Sequence, residues 1–401
     1  MSAPEIPPTP SRSQRDELNE TSLLWKEAEA AVIGGDASTL ERLLREHPKL
    51  REEEPTGYVP HGPHPDYSEG DVRSIITREH HFGSFGEFTE YLEALRRTDS
   101  DISRFESAVN AVVTGDVKTL ERLLHDHPDL VHACSSRRHR ATLLHYVGAN
   151  GIEAFRQRTP NNAVKITETL LKSGADVDSV ADIYGKSATL GLVASSIHPW
   201  LAGVQLELLA TLLRAGADID GAPEERSPLL SALHNGRPEA AEFLASRGAR
   251  LDLEGAAGVG RLDLVKSFFN PDGSLKEPAT AVQLSVGFKW ACQYGRTSTV
   301  EFLLPKVDAA TQNDGLHGAA MSGSVETLKL LLKRKLPLES KNEWGGTVLG
   351  AAVWTAEHSD EGTDFSPIIE ELIAAGAKVD AEPDLKNHVA AILRRRTRSS
   401  S

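Results

Sequence analysis

Four residues stand out by type and neighbourhood: Arg156, Arg158, His198 and Trp200, with Phe155 beside the first pair. A guanidinium holds an anion through paired N–H groups. An imidazole moves protons near neutrality. Trp and Arg are also the side chains most enriched where one protein grips another. These residues lie in residues 152–162 and 197–203, two stretches longer than a turn between helices requires. Residues 356–367 form a third such stretch. Two kinds of chemistry fit, a protein-docking edge or a small-molecule site, and Trp200 could also simply close the end of a helix stack.

Other constellations are weaker. His61, His64, Asp66, His80 and His81 offer zinc-type donors, but their spacing matches no recognised metal site. Gly185-Lys186-Ser187 resembles the end of a phosphate-binding loop, yet Val180 stands where its first glycine belongs. Gly255-Ala256-Ala257-Gly258-Val259-Gly260 does not fit a dinucleotide fingerprint. Cys292 has no evident base to activate it and reads as a small core residue. No catalytic residue, metal ligand or cofactor is therefore assigned.

The elements that must position these residues announce themselves by recurrence. Leu170-Leu171-Lys172-Ser173-Gly174-Ala175-Asp176-Val177-Asp178 returns as Leu212-Leu213-Arg214-Ala215-Gly216-Ala217-Asp218-Ile219-Asp220. Looser copies run from Leu244 to Asp252 through Gly248, and from Leu372 to Asp380 through Gly376. Each reads as the end of an apolar helix, with Leu171 and Leu213 in its core, followed by a residue free to turn left. Glycine, lacking Cβ, does this cheaply. A second duplication has an offset of 80: Trp25, Ala28, Ala31, Val32 and Thr39-Leu40-Glu41-Arg42-Leu43-Leu44 match Phe105, Ala108, Ala111, Val112 and Thr119-Leu120-Glu121-Arg122-Leu123-Leu124. Proline at 48 and 128 stops both outer helices. Recurrence every few tens of residues marks a solenoid, in which each unit buries its apolar face against its neighbours.

At Thr142-Leu143-Leu144-His145 the pattern resembles the T-P-L-H signature of ankyrin repeats, with Leu143 in place of proline. Ser227-Pro228-Leu229-Leu230, Leu316-His317-Gly318-Ala319-Ala320 and Gly346-Thr347-Val348-Leu349 open comparable units. The resemblance implies an all-α ankyrin-repeat solenoid of about nine helix-turn-helix units with short β-hairpin connections and a helical N-terminal insertion. It implies that His145 and His317 bond backbone between adjacent units. The chain is also similar to a bacterial subgroup of ankyrin proteins, through Gly185, Ala188-Thr189-Leu190-Gly191-Leu192-Val193-Ala194-Ser195-Ser196-Ile197-His198-Pro199 and the insertion around residues 73–95. The surface such proteins use comprises hairpin tips and the concave inner-helix face. Tyr146, Asn150, His234, Trp290, Tyr294, Met321, Trp344 and Trp354 map there, where each either meets a partner or fills space between units.

Boundaries follow. Residues 1–20 are Pro- and Ser-rich and expected to be disordered. Residues 21–50 form a first helix pair and 51–103 a loop plus helical insertion. Residues 104–380 form the array and 381–401 a capping helix with a basic tail. The net charge of −14 argues against nucleic acid, whose binding rests on neutralised phosphates. No run approaches the roughly 20 apolar residues of a membrane span. Two distant cysteines and the lack of a secretory leader fit the cytoplasm. The function expected is a protein-binding scaffold without catalysis. The alternative is a small-molecule binder or enzyme at Arg156, Arg158, His198 and Trp200. A homo-oligomer would betray itself by a large apolar face.

Overall fold

A computed structural model describes Thr77 and residues 80–222, 226–358, 364–381 and 385–399. The expectations for residues 1–50, for His61, His64 and Asp66, and for most of the 356–367 stretch's centre lie outside the described residues. Among the described residues, secondary structure is mostly helical, with one two-stranded sheet. The described residues divide into two compact units, the first ending at Pro228 and the second beginning at Leu229.

In the first unit, α1 (Phe85–Arg96) packs on α2 (Asp101–Thr114), which pairs with α3 (Val117–Asp126). Ser84, Ser100 and Asp116 cap these helices by accepting N–H bonds from Glu87, Ser103 and Thr119. Gly115 ends α2 in the left-handed region at φ 77°. The next inner element is shorter than the repeat pattern implies, a 3₁₀ turn at His145–Gly148 closed by left-handed Ala149. It packs against α2 and against α5 (Thr189–Ser195). The outer row is α3, α4 (Ala163–Lys172) and α7 (Gln205–Arg214), each against the next. Between α5 and α7 lies the short α6 (Ile197–Leu201). A small hairpin joins α4 to α5: β1 (Val180–Ala181) pairs antiparallel with β2 (Ser187–Ala188).

In the second unit, α8 (Pro228–His234) is followed by α9 (Pro238–Ser246), α10 (Leu253–Gly258) pairs with α11 (Leu262–Ser267), and α12 (Ala281–Gln293) with α13 (Thr297–Leu303). The pairs α14 (Ala309–Met321) with α15 (Val325–Leu332) and α16 (Val348–His358) with α17 (Ser366–Ala374) follow, and α18 (Leu385–Ser399) covers the last. First helices stack in one row from α10 to α16, second helices in another from α11 to α17. Small residues set the spacing. A Cβ on Gly315 would meet Phe288 at 2.5 Å and Cys292 at 2.9 Å; one on Gly287 would meet the Glu254 backbone at 3.0 Å.

The recurrent glycines behave as their position demands: Gly174, Gly216, Gly248 and Gly376 have φ of 99°, 97°, 99° and 102°. The leucine pairs need a correction of one position. Leu170 and Leu212 are completely buried, whereas Leu171 and Leu213 are half-buried. Along a helix only one of two adjacent residues can centre on the packed face. Leu244 and Leu372 hold the same buried place in the looser copies.

Candidate functional site

The densest polar chemistry in the described residues is a buried ionic cluster of which only Arg156 and Tyr146 are marked in the sequence. Arg137 lies in the hairpin bracketed by a bridge between Cys134 and Thr142, and its side chain is almost completely buried. Its Nη1 meets Glu106 Oε1 at 2.6 Å and its Nε meets Glu153 Oε1 at 2.8 Å. Its Nη2 donates to the Tyr91 hydroxyl at 2.8 Å, and the guanidinium carbon lies 4.7 Å from the centre of that ring. Arg156 completes the square: Nη1 meets Glu106 Oε2 at 2.5 Å, and Nη2 donates to Asn110 at 3.3 Å. Glu153 also accepts from Tyr146 Oη and from His139 Nε2, each at 3.3 Å. The His139 tautomer follows from its other nitrogen, since Nδ1 accepts the Ala141 N–H at 3.0 Å.

Five elements supply this cluster: α1 gives Tyr91, α2 gives Glu106 and Asn110, the hairpin gives Arg137 and His139, the 3₁₀ turn at His145–Gly148 gives Tyr146, and residues 153–156 give Glu153 and Arg156. Two carboxylates face two guanidiniums, so the set is neutral when its imidazoles are. Burial alone would raise the Glu106 and Glu153 carboxyls; Arg137 and Arg156 overcome it and hold both below the usual carboxylate range. Burial raises the Tyr91 and Tyr146 phenols. Burial, then the charge of Arg137, pushes His80 down to about 3. The arrangement has little capacity for acid–base catalysis at neutral pH. Both carboxylates stay ionised, both phenols stay protonated, and each arginine is engaged by a carboxylate. It ties elements together.

This cluster redistributes the residues expected at the insertion edge. Phe155 and Arg156 are buried rather than presented at the surface, because residues 154–156 form a 3₁₀ turn that folds inward onto α2. Arg158 is half-buried, and burial together with Arg156 lowers its pKa. His198 and Trp200 are half-buried on α6, where Ser196 accepts the His198 N–H and donates to the Ala149 carbonyl. The cluster includes Tyr146, buried through its whole ring. Glu106 could have been suspected, since it shares a helix face with Ile102 and Val109. Arg137, His139 and Glu153 lie in irregular segments, where no periodicity marks a buried position.

The other expected residues scatter. Asn150 is half-buried, donating to Ser195 and accepting from the Tyr184 hydroxyl. Trp290 is buried between helices; His234 and Met321 are half-buried. Tyr294 is half-buried and donates to the Leu233 carbonyl. Trp344 is 59 % exposed, and Trp354, 37 % exposed, stacks on His358 with ring centres 4.3 Å apart. His145 Nδ1 accepts from the Thr142 N–H in its own unit, with the Ser179 and Ser187 backbones nearby. His317 reaches Ser340 Oγ, in the segment between α15 and α16, at 3.3 Å. Lys186 pairs with Asp182, and Cys292 is buried with its thiol pushed up. Cys134 and Cys292 are free.

Tyr184, which the sequence reading passed over, has the same setting as Trp344. Each stands immediately before a left-handed glycine in the segment that leads into a new first helix, with Gly185 at φ 97° and Gly345 at 81°. Tyr184 is 74 % exposed. Among the described residues no group of His, Cys, Asp and Glu is placed to hold a metal ion, and no helix is long and apolar enough to cross a membrane.

No family model matches the sequence, and no curated protein does. Among solved structures, the crystal structure of the human ASB11 ankyrin repeat domain is similar, with 19% sequence identity and a TM-score of 0.34. The match covers 68% of this chain and 98% of that one.

Proposed function

We propose that this chain is an ankyrin-type repeat protein of about nine helix pairs, one of them in residues 21–50, and that it serves as a protein-binding scaffold without catalysis of its own. The observation that carries the reading is the repeated placement of a large exposed aromatic at a connecting tip, Tyr184 in the first unit and Trp344 in the second. Most other rings in these units are buried or half-buried. An aromatic on a preformed turn loses little freedom on docking, so its burial yields net affinity. In the first unit Arg158, His198 and Trp200 add to what a protein partner would meet, and in the second unit Trp354 does. The alternative small-molecule site at the insertion edge loses its strongest anion holder, because Arg156 is engaged by Glu106. The acidic composition speaks for protein rather than nucleic acid, and the two unpaired cysteines for a reducing compartment such as the cytoplasm. The resemblance to a bacterial ankyrin subgroup rests on Gly185, residues 188–199 and the insertion around residues 73–95.

The test is capture of partners from a lysate by the intact chain and by two double variants, Tyr184→Ala with Trp344→Ala, and Arg158→Ala with Trp200→Ala. Loss of a reproducible partner in the first variant, with an unchanged melting temperature, supports the tips. Unchanged recovery with both variants sinks the reading.

A further inference from the structure

We propose that residues 80–96 form a strap, latched onto the first unit through histidines that must be neutral, and that mild acid releases this strap while the helix pairs beneath it stay folded. The strap carries its own aromatic face. Phe82, Phe88 and Tyr91 are buried, with ring centres of 5.0 to 6.5 Å between them. Among the described residues, its attachments to the array are specific. The Tyr91 hydroxyl accepts from Arg137, the His81 carbonyl accepts from the Arg138 N–H at 2.8 Å, and α1 rests on α2. The His80 ring sits 5.0 Å from Phe88 and 5.4 Å from Phe155, bridging strap and array. The His81 ring meets His139 edge-on at 5.2 Å.

Geometry requires these imidazoles to be uncharged. His80 is buried, and its Nδ1 has no hydrogen-bond partner among the described residues. Arg137, Arg156, Glu106 and Glu153 face it, and the two carboxylates are already matched by the two guanidiniums. His139, Glu153 and Arg137 face His81. His139 itself accepts the Ala141 N–H at Nδ1. A charge arriving on His80 or His81 therefore joins an ensemble that is balanced without it. In keeping with this, burial first, and then Arg137 for the one and the adjacent His139 imidazole for the other, lowers His80 to about 3 and His81 to about 4, from an ordinary value of 6.5.

The sign follows by linkage. Above pH 6.5 the bound and released strap carry the same protons at these sites, and acidity has no effect. Between about pH 6.5 and 4 the released strap takes up protons that the bound strap refuses, so release gains as pH falls. At pH 5 each histidine favours release by about 30-fold, and the two together by on the order of a thousandfold. Glu106 and Glu153 stay ionised in that window, being held below the usual range. The cluster in the array therefore remains paired as the strap leaves. The cost at His80 and His81 falls on the strap's own attachment; the buried His145, which burial lowers to about 4, lies in the turn at His145–Gly148, where its cost is borne by the packed elements around it, among them α2 and α5.

Hydrogen–deuterium exchange on the full chain tests this, comparing protection factors, corrected for intrinsic rate, at pH 7.5 and pH 5.0. Amides of residues 86–96 are expected to lose protection by about 100-fold or more, while residues 102–126 and 281–293 change by less than about 5-fold. In the His80→Leu, His81→Leu variant the loss in the strap should shrink to a few-fold. Should that variant fold poorly, His81→Asn alone should remove about half of the logarithmic response. An unchanged response in these variants overturns the proposal, as does loosening of residues 102–126 in step with the strap, or a strap indifferent to pH.

Discussion

The two units solve the same problem, how to keep one helix pair against the next, by different means. From α10 to α17 the second unit relies on apolar contact, with Phe288, Leu316, Leu328, Leu331 and Ile369 completely buried in a continuous core. Glycine and alanine at the crossings let successive first helices close up. The first unit must also hold the irregular stretch at residues 153–156 and the hairpin around Arg137, and it does so with Arg137, Arg156, Glu106 and Glu153. An apolar contact is tolerant of register. A buried guanidinium between two carboxylates is satisfied in one arrangement only. The comparison teaches that regular stacking can be left to side-chain volume, whereas an irregular piece is located by directed, charged hydrogen bonds.

If that contrast is right, the largest effect comes from breaking the ionic cluster on one side. Glu153→Ala leaves Arg137 short of a partner and should cost about 3–5 kcal/mol in urea denaturation. Removing the opposing charge as well, in Arg137→Met with Glu153→Leu, should recover at least half of the loss. A Glu153→Ala cost below about 1 kcal/mol would end the claim that the charges hold the first unit.

Next in size, Leu328→Ala in the second unit should cost about 2–5 kcal/mol through lost burial and a cavity. The same substitution sharpens the helix register in the first unit. Leu170→Ala should fall in that range, and Leu171→Ala should cost about half as much or less, because its side chain is already half in water. Equal losses at the two positions would contradict the assigned faces.

Smaller still is Gly216→Ala. An added Cβ meets nothing within 4 Å, so the cost is backbone strain alone, about 1 kcal/mol by thermal unfolding. Smallest is Trp344→Ala, expected within about 0.5 kcal/mol of the parent. Its effect should appear in partner capture instead, and a destabilisation above about 1 kcal/mol would move Trp344 from the binding surface to the core.

The helix pairs were legible because each repeats a local rule. Apolar side chains recur every three or four residues, Asp116 caps α3, and a glycine stops the chain in the left-handed region after Leu170, Leu212, Leu244 and Leu372. The short 3₁₀ turn at His145–Gly148 was not legible as such, since Leu143, Leu144 and Tyr146 read like an ordinary inner helix. The insertion residues were read only in part. Type and spacing marked Phe155 and Arg156 as unusual, and the same features would suit an exposed anchor or a buried latch.

What the sequence determined by itself is where elements begin and end, for capping, periodicity and left-handed glycine are contests among residues a few positions apart. What only the tertiary structure decided is which charges go inside. Arg137 finds Glu106 across 31 residues and Tyr91 across 46. A charge is stable in the interior only when opposite charges and hydrogen bonds arrive from separate elements at once, and that simultaneity exists in space and nowhere along the chain.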